Sequence, residues 1–335
     1  MAGKVRTDPL PEVILKKVRL PWSAFTGIFA FFLIIILVIV ALADGTSIKQ
    51  LDWSFWRVGL QGPAILIYIL AIYPVLKRVG NKAIESVLPL TALDKNEVEK
   101  LISRYYWPRR SGELISILLG VAAVILLSQP WRGTLTNIDW YLYATEIILF
   151  SMLALLIYYS LRNTRFFTKI NKNINVDIFD IEALAPIARW SLSISLAFIG
   201  GIIISIIFQN VENLKHWQTI VIYAILVGTA VVVFFVSMWS THRAIAKIKN
   251  NEFSIVRKQY IDACRKLKQN INGDKQENNA GLHYEVAAWG LYERRIREVK
   301  EWPINAGIVG RLVLSIVSPG VVYLIKVLSG FSTGF

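Results

Sequence analysis

Residues 22–43 read WSAFTGIFAFFLIIILVIVALA, a long run without a charged side chain. A helix needs about 20 apolar residues to cross the hydrocarbon core of a bilayer. Backbone polar groups cannot be left unpaired in hydrocarbon, so a run of this length crosses as a helix. The stretch therefore predicts a transmembrane helix.

The composition of the whole chain agrees with a membrane protein. Of its 335 residues, 55% are hydrophobic and 18% are charged, and soluble domains are nearer about 25% charged. Three histidines and one cysteine, Cys264, exclude a disulfide framework and a cysteine-rich zinc site. The sequence contains no catalytic or nucleotide-binding motif, so it implies no enzyme activity, no cofactor and no metal.

Five further stretches are long and apolar enough to span a bilayer: 58–76, 112–128, 140–161, 189–208 and 218–240. None shows the alternation of a membrane β-barrel strand. We therefore predict an all-α, polytopic helical membrane bundle with six confident transmembrane helices.

Lysine and arginine counts orient the bundle. The tail before the first span has five, the first connection has two, the second has eight, and residues 241–303 have 13. Cytoplasmic segments carry the excess of basic residues. This pattern predicts a multi-pass protein with a cytoplasmic N-terminus. The short outer connections favour the plasma (inner) membrane of a prokaryote. The small residues at 41–43 also allow a cleaved signal peptide, although the apolar run is longer than a signal core.

The chain divides into a cytoplasmic tail (1–21), a transmembrane bundle (22–240), a cytoplasmic helical region (241–303) and a C-terminal segment (304–335). In 241–303, apolar residues recur every three or four positions, which predicts that the sixth span continues into the cytoplasm as one long helix and that a flexible turn near 270–281 joins it to a second amphipathic helix. A helical hairpin or packing between subunits would bury this cytoplasmic stripe, which consists of Phe253, Val256, Tyr260, Cys264, Leu267 and Trp289.

The C-terminal segment is apolar but interrupted by Arg311, Pro319 and Lys326. Its longest uncharged run is too short to span alone. Three arrangements remain open: a seventh span with snorkelling cations, a re-entrant hairpin that bends at 318–320, or an interfacial helix.

Two inner connections contain acidic signals. Asp94, with Glu97 three residues on, predicts a capped helix over about 95–106. Asp177, Asp180 and Glu182 can serve as a helix cap with solvated neighbours, or as oxygen ligands for a divalent cation.

Small residues recur at intervals of four in three spans, which is typical of closely packed membrane helices. The predicted packing residues are Ser193, Ala197, Gly201 and Ser205 in the fifth span and Gly112, Ser116 and Gly120 in the third, with Ala224 and Gly228 added by the sixth. Close packing within one bundle is the plain interpretation, and a subunit interface or a polar path is the alternative.

Glu146 is a carboxylate inside the fourth span, where an acid is costly unless it is protonated, paired or wetted. Tyr223 lies at the same depth, six residues after an outer tryptophan. We predict a Glu146–Tyr223 hydrogen bond or a water-filled vestibule at Glu146, and Glu146, Tyr223 and Arg311 are the candidate permeation residues.

These features favour an oligomeric ion channel or small-solute transporter. The alternative is a signalling or scaffold protein, or an accessory subunit, that acts through 241–303. The predicted partners are the lipid bilayer, anionic lipids at the cytoplasmic face and further copies of the chain. Nucleic acid is not expected, because the sequence has no separate basic domain to bind it.

Overall fold

The structure is a computed structural model that describes residues 9–45, 53–132, 135–209, 211–272, 279–302 and 306–332. Within these ranges the chain is helical, and the single β-bridge joins Thr91 to Ile174. Seven helices in the described ranges are long and apolar enough to cross a membrane. The prediction of an all-α chain with several membrane-length helices is confirmed, and the structure adds one such helix to the predicted six.

Eleven α-helices follow one another in the described ranges. They are α1 (Leu10–Val18), α2 (Trp22–Ala43), α3 (Trp53–Val87), α4 (Lys95–Leu101), α5 (Arg110–Ser128), α6 (Asn137–Ile170), α7 (Ala185–Phe208), α8 (Val211–Leu214), α9 (Trp217–Asn272), α10 (Asn279–Glu298) and α11 (Ala306–Ser332).

Helix α7 lies at the centre of the bundle. Helices α3, α9 and α11 pack on it, α2 packs on α3 and α6, and α5 packs on α6. Trp190, Ile187 and Ile199 of α7 are almost fully buried. A membrane helix that is covered on most sides must present small residues where its neighbours approach, and α7 is rich in serine, alanine and glycine.

Two helices extend far beyond their predicted spans. The predicted span 58–76 lies inside α3, which continues through Pro63 and Pro74 to Val87. The predicted span 218–240 lies inside α9, which continues to Asn272, so the predicted continuation of the sixth span as one long helix is confirmed and no break separates the regions 22–240 and 241–303. Hydropathy marks only the apolar part of a helix, whereas lysine, arginine and glutamate are good helix formers and continue it.

Helix α10 runs antiparallel to the second half of α9. The Tyr292 hydroxyl donates to Glu252 Oε1 (3.4 Å), and nearer the bundle Lys249 Nζ donates to the Val299 carbonyl (2.9 Å). Residues 273–278 of the predicted turn lie outside the described residues. We call the end of the bundle next to this helix pair the hairpin end.

Helix α11 excludes one of the three arrangements that the sequence leaves open for the C-terminal segment. It runs through Pro319 without interruption, so the chain does not form a re-entrant bend at 318–320. Near its end, Lys326 Nζ donates to the carbonyls of Ile206 (2.5 Å) and Ile207 (2.8 Å) in the last turn of α7. A cation stabilises unpaired carbonyls at a helix C-terminus, so this contact fastens α11 alongside α7.

The connections at the hairpin end are also ordered by capping. Asp94 Oδ1 accepts from the Lys95 N–H (2.8 Å) at the start of α4. A π-helical turn over Ile102–Tyr106 extends α4, so together they cover the predicted helix 95–106. Asp177 Oδ1 accepts from the Phe179 N–H (2.9 Å), which closes a turn rather than a metal site.

Candidate functional site

A cavity of about 500 Å³ lies between α3, α5, α6, α7 and α9. It extends along α6 from Leu142 to Leu156, which is about 21 Å at the rise of an α-helix. We call it the Glu146 cavity. Its polar lining residues are Gln61, Tyr68, Ser128, Thr145, Glu146, Ser205, Gln209, Asn213, His216, Gln218, Thr219 and Tyr223.

Glu146 lies in the wall of this cavity that α6 forms. Its Oε2 accepts a hydrogen bond from Ser128 Oγ (2.9 Å) in the last turn of α5. The Ser128 carbonyl in turn accepts from the Tyr143 hydroxyl (3.1 Å). The carboxylate is therefore half-buried and held in place by one donor, while Glu146 remains part of the cavity wall.

Tyr223 lines the same cavity from α9 but does not pair with Glu146. Its hydroxyl lies 2.9 Å from Ser205 Oγ and 3.0 Å from Gln209 Oε1, both at the C-terminal end of α7. Gln61 Nε2 reaches Ser205 Oγ from α3 (3.3 Å). The predicted Glu146–Tyr223 hydrogen bond is therefore wrong, because nearer groups satisfy each of the two side chains.

The small residues of α7 form another wall of the cavity. Ala197, Gly201 and Ser205 all line it. The Tyr68 ring of α3 lies beside Gly201, and its hydroxyl donates to the Ala197 carbonyl (2.9 Å). Ser193 is one turn too early to reach the cavity, and its hydroxyl donates to the Arg189 carbonyl of its own helix (2.8 Å).

The small residues of α5 pack against α6. A methyl group added at Gly120 would stand 2.7 Å from the backbone carbonyl of Phe150, and one at Gly112 would meet the Tyr158 ring. Ser116 is buried, and its hydroxyl donates to the Gly112 carbonyl (2.8 Å). By contrast, a methyl group at Gly228 of α9 would meet nothing described within 4 Å.

A second acid, Glu113, is buried in the bundle and is not among the residues predicted from the sequence. Glu113, in the first turn of α5, has no exposed surface. Its carboxylate accepts from the Tyr159 hydroxyl (2.6 Å), the Leu10 N–H (3.0 Å) and Arg110 Nη1 (2.8 Å). A carboxyl group one residue inside a predicted span was the available signal. Arg110 is three residues away in the same helix, but Leu10 and Tyr159 come from two distant segments, which the sequence does not bring together.

The structure does not bring Arg311 to the Glu146 cavity. Arg311 is exposed on α11 and is not one of the lining residues. Helix α11 packs on α7 through residues such as Leu312 and Ile316, which do not line the cavity.

The predicted cytoplasmic stripe is largely covered by the chain itself. Val256 is buried together with Ile296 of α10 and Ile178, which precedes α7. Phe253 and Trp289 pack around this cluster, and the remaining members of the stripe, Tyr260, Cys264 and Leu267, are half-buried. Contacts within the chain therefore cover much of the stripe.

In the part of the chain that the structure describes, no group of three histidine, cysteine or acidic side chains could hold a metal ion. The volume of the Glu146 cavity is within the range of about 300–1,000 Å³ that is typical of ligand sites. Its carboxylate, hydroxyls and amides suit the binding of a small polar or cationic molecule.

Comparison with protein-family models, characterised proteins and solved structures gives no match to this chain.

Proposed function

We propose that this protein moves a small cation or a small polar solute across a membrane through the Glu146 cavity. The observation that carries the proposal is a half-buried carboxylate in the wall of a cavity surrounded by membrane-length helices. Acids at such positions are costly to keep and mark solute or ion paths.

The charge of the cavity favours a cation. Glu146 is the one carboxylate among its described lining residues, and none of those residues is a lysine or an arginine. A cleft with a single sign of charge and low-dielectric walls concentrates ions of the opposite sign. The amides and hydroxyls would replace part of the hydration shell of the solute.

The location of the cavity favours a transporter over a pore between subunits. The cavity lies inside one chain, so transport through it does not require the homo-oligomer that the sequence predicts. Binding sites of secondary transporters lie near the bilayer midplane among the helices of one chain. The Glu146 cavity extends from the end opposite the hairpin to Leu156, near the middle of α6.

The route towards the hairpin end is constricted. Ile69 and Leu156 line the deep end of the Glu146 cavity and also a small void of about 20 Å³ that Tyr73 and Tyr159 line. The Tyr159 hydroxyl donates to the buried Glu113. A solute would have to open the Ile69–Leu156 constriction, so we propose that this closure alternates with closure at the other end.

Helix α1 covers the hairpin end of this route. The Leu10 N–H contacts Glu113 (3.0 Å), and Glu12 accepts from the Tyr73 hydroxyl (3.1 Å) and pairs with Lys77 (2.7 Å). Release of a solute at this end would require α1 to move.

The basic residues of the N-terminal tail and of 241–303 support a cytoplasmic N-terminus. The short outer connections support a location in the plasma (inner) membrane. If α11 is a seventh span, residue 335 lies on the other side. A phosphatase reporter fused after residue 335 should then be active and a green fluorescent reporter dark. The reverse pattern would contradict a seventh span.

The direct test is flux in proteoliposomes with protons, Na⁺, K⁺ and methylammonium as probes. We expect Glu146→Gln to lower the flux of the conducted cation about tenfold, because the attraction of the carboxylate is lost. Glu85→Gln, which removes an exposed acid on α3, is the matched control and should leave flux unchanged. Equal flux in Glu146→Gln and the unmodified protein would remove Glu146 from the mechanism.

A further inference from the structure

A second, larger cavity of about 930 Å³ lies at the hairpin end, away from the Glu146 cavity. It opens between the end of α6, the segment 171–175 and the middle of α9. Three cations line it, namely Lys172, Arg243 and Lys247, and we call it the basic pocket.

The three cations have no acidic partner among the described residues. None of them forms an ion pair with a described carboxylate, and all three are exposed. Glu252 is the one acid among the described lining residues, and it accepts from the Tyr292 hydroxyl (3.4 Å). The pocket therefore has a net positive charge. Arg243 and Lys247 repel one another at a spacing of four residues, and a bound anion would relieve that repulsion.

The other half of the basic pocket is apolar. Phe235, Val236 and Trp239 line it and are each about half exposed. They precede Arg243 along α9, so the lining changes from apolar to basic within about 12 Å. The Arg243 guanidinium lies over the Trp239 ring (5.4 Å to its centre), an arrangement suited to the boundary between hydrocarbon and headgroups.

The floor of the basic pocket is fixed by buried hydrogen bonds. Asn171 at the end of α6 is 2% exposed. Its Nδ2 donates to Thr241 Oγ1 (2.9 Å) and Ser240 Oγ (3.2 Å) on α9. These bonds hold α6 and α9 at a set separation, so the pocket exists before any ligand arrives.

We propose that the basic pocket binds an anionic phospholipid, with its phosphate between Lys172, Arg243 and Lys247 and an acyl chain along Phe235 and Val236. A free phosphate or a soluble phosphate ester would meet the same cations but would leave the apolar half uncovered. Basic pockets between membrane helices on the cytoplasmic side are sites for anionic headgroups. This site is independent of transport through the Glu146 cavity.

The test uses the full chain in detergent, with bound lipid counted by native mass spectrometry. The probes are dioleoyl phosphatidylglycerol, dioleoyl phosphatidylcholine and inorganic phosphate. We expect the anionic lipid to bind at least about tenfold more tightly than the neutral one, because several cations act on one phosphate. Equal binding of the two lipids, or full displacement of the anionic lipid by millimolar inorganic phosphate, would overturn the proposal.

Variants separate this site from the general basic charge of the helix pair. Arg243→Gln with Lys247→Gln should lose most of the preference for the anionic lipid. Lys258→Gln with Lys266→Gln removes two exposed cations from the same helix outside the pocket and should keep that preference. An equal loss in both double variants would overturn the proposal.

A third variant, Glu252→Gln, should bind the anionic lipid more tightly, a result that misfolding would not produce. Glu252→Gln keeps an acceptor for the Tyr292 hydroxyl but removes the negative charge from the basic pocket. It should bind the anionic lipid about two- to threefold more tightly, as expected for a nearby screened charge. Unchanged or weaker binding in folded Glu252→Gln would contradict a phosphate near this residue.

Discussion

Glu146 on α6 and Ser128 on α5 are joined by a hydrogen bond of 2.9 Å from the serine hydroxyl to the carboxylate. This bond fixes the acid at the wall of the Glu146 cavity, at the point where α5 ends. It also explains how a membrane-length helix accommodates a carboxyl group: the acid has a donor on one side and a polar cavity on the other.

The bond predicts energetic coupling between the two residues. Ser128→Ala alone should cost about 1.5–3 kcal/mol of stability, because a hydrogen bond to a charged group contributes about that much. In a double-mutant cycle, Ser128→Ala and Glu146→Leu should be non-additive by at least about 0.5 kcal/mol, because leucine removes the acceptor of the Ser128 hydroxyl. Thermal unfolding in detergent measures each variant. Ser128→Ala with the distant Glu85→Gln is the control pair and should be additive; additivity in both pairs would exclude the bond.

Helix packing predicts opposite outcomes for two glycines. Gly120→Ala places a methyl group 2.7 Å from the α6 backbone, which cannot rotate away, so we expect a loss of about 1–3 kcal/mol. Gly228→Ala meets nothing described within 4 Å and should be neutral or slightly stabilising. The melting temperatures of the two variants in the same detergent provide the comparison. Equal destabilisation would contradict the described α5–α6 contact.

Asp44 predicts a pH dependence of stability. Its carboxylate accepts from the N–H groups of Ile138 (2.9 Å) and Asn137 (3.2 Å) at the start of α6. The hydrogen bond from the Ile138 N–H is the main cause that lowers the pKa of Asp44 below its ordinary value of 3.8. Burial raises the pKa, and the hydrogen bonds from the Asn137 side chain and N–H lower it further. The ionised form is therefore the one that stabilises the fold. The stability that ionised Asp44 adds is fully present above the pKa of an ordinary aspartate. It is lost as the pH falls through the lowered pKa of Asp44 in the folded protein.

Accordingly, Asp44→Asn should melt at a lower temperature than the unmodified protein near neutral pH, and the difference should shrink below about pH 4. Asp262→Asn, which removes a half-exposed aspartate on α9 whose ion pair with the exposed Arg265 (3.6 Å) contributes little, controls for loss of charge. A melting difference for Asp44→Asn that does not change with pH would show that ionisation of Asp44 does not stabilise the fold.

Sequence patterns predict the membrane-length helices well because hydropathy is a local property. They place the start of α2 at Trp22 and the end of α7 at Phe208 correctly. They end the second span at residue 76, although α3 continues to Val87, because charged residues after the membrane segment still form helix. The last apolar segment remained ambiguous because Arg311 and Lys326 interrupt it. Lys326 is accommodated by carbonyls of α7, a contact that the sequence does not reveal.

The candidate site was only partly predictable. Glu146 draws attention by itself, since acids are rare inside spans. Gln61 and Tyr68 on α3 do not, because single polar residues are common in membrane helices and their role depends on which face of α3 meets α7. Glu113 was missed for a related reason: its partners Leu10 and Tyr159 are remote in sequence.

The central claim is that Glu146 faces an aqueous, cation-attracting cavity, and thiol accessibility tests it most directly. In a Cys264→Ser background, Leu142→Cys places a thiol in the cavity, one turn before Glu146. Ala144→Cys places one on an exposed face of the same helix, outside the cavity lining. Both variants are treated in sealed vesicles with a trimethylammonium and a sulfonate methanethiosulfonate reagent, and rates are corrected for the reactivity of each reagent towards a free thiol.

We expect Leu142→Cys to react about tenfold faster with the cationic reagent than with the anionic one, because the Glu146 carboxylate concentrates cations in the cavity. Adding Glu146→Gln should bring the two rates close together. We expect the exposed face that carries Ala144 to lie against lipid, so Ala144→Cys should react slowly with both reagents. If Leu142→Cys is as unreactive as Ala144→Cys, or if its preference for the cation survives Glu146→Gln, the cavity is not the cation path that we propose.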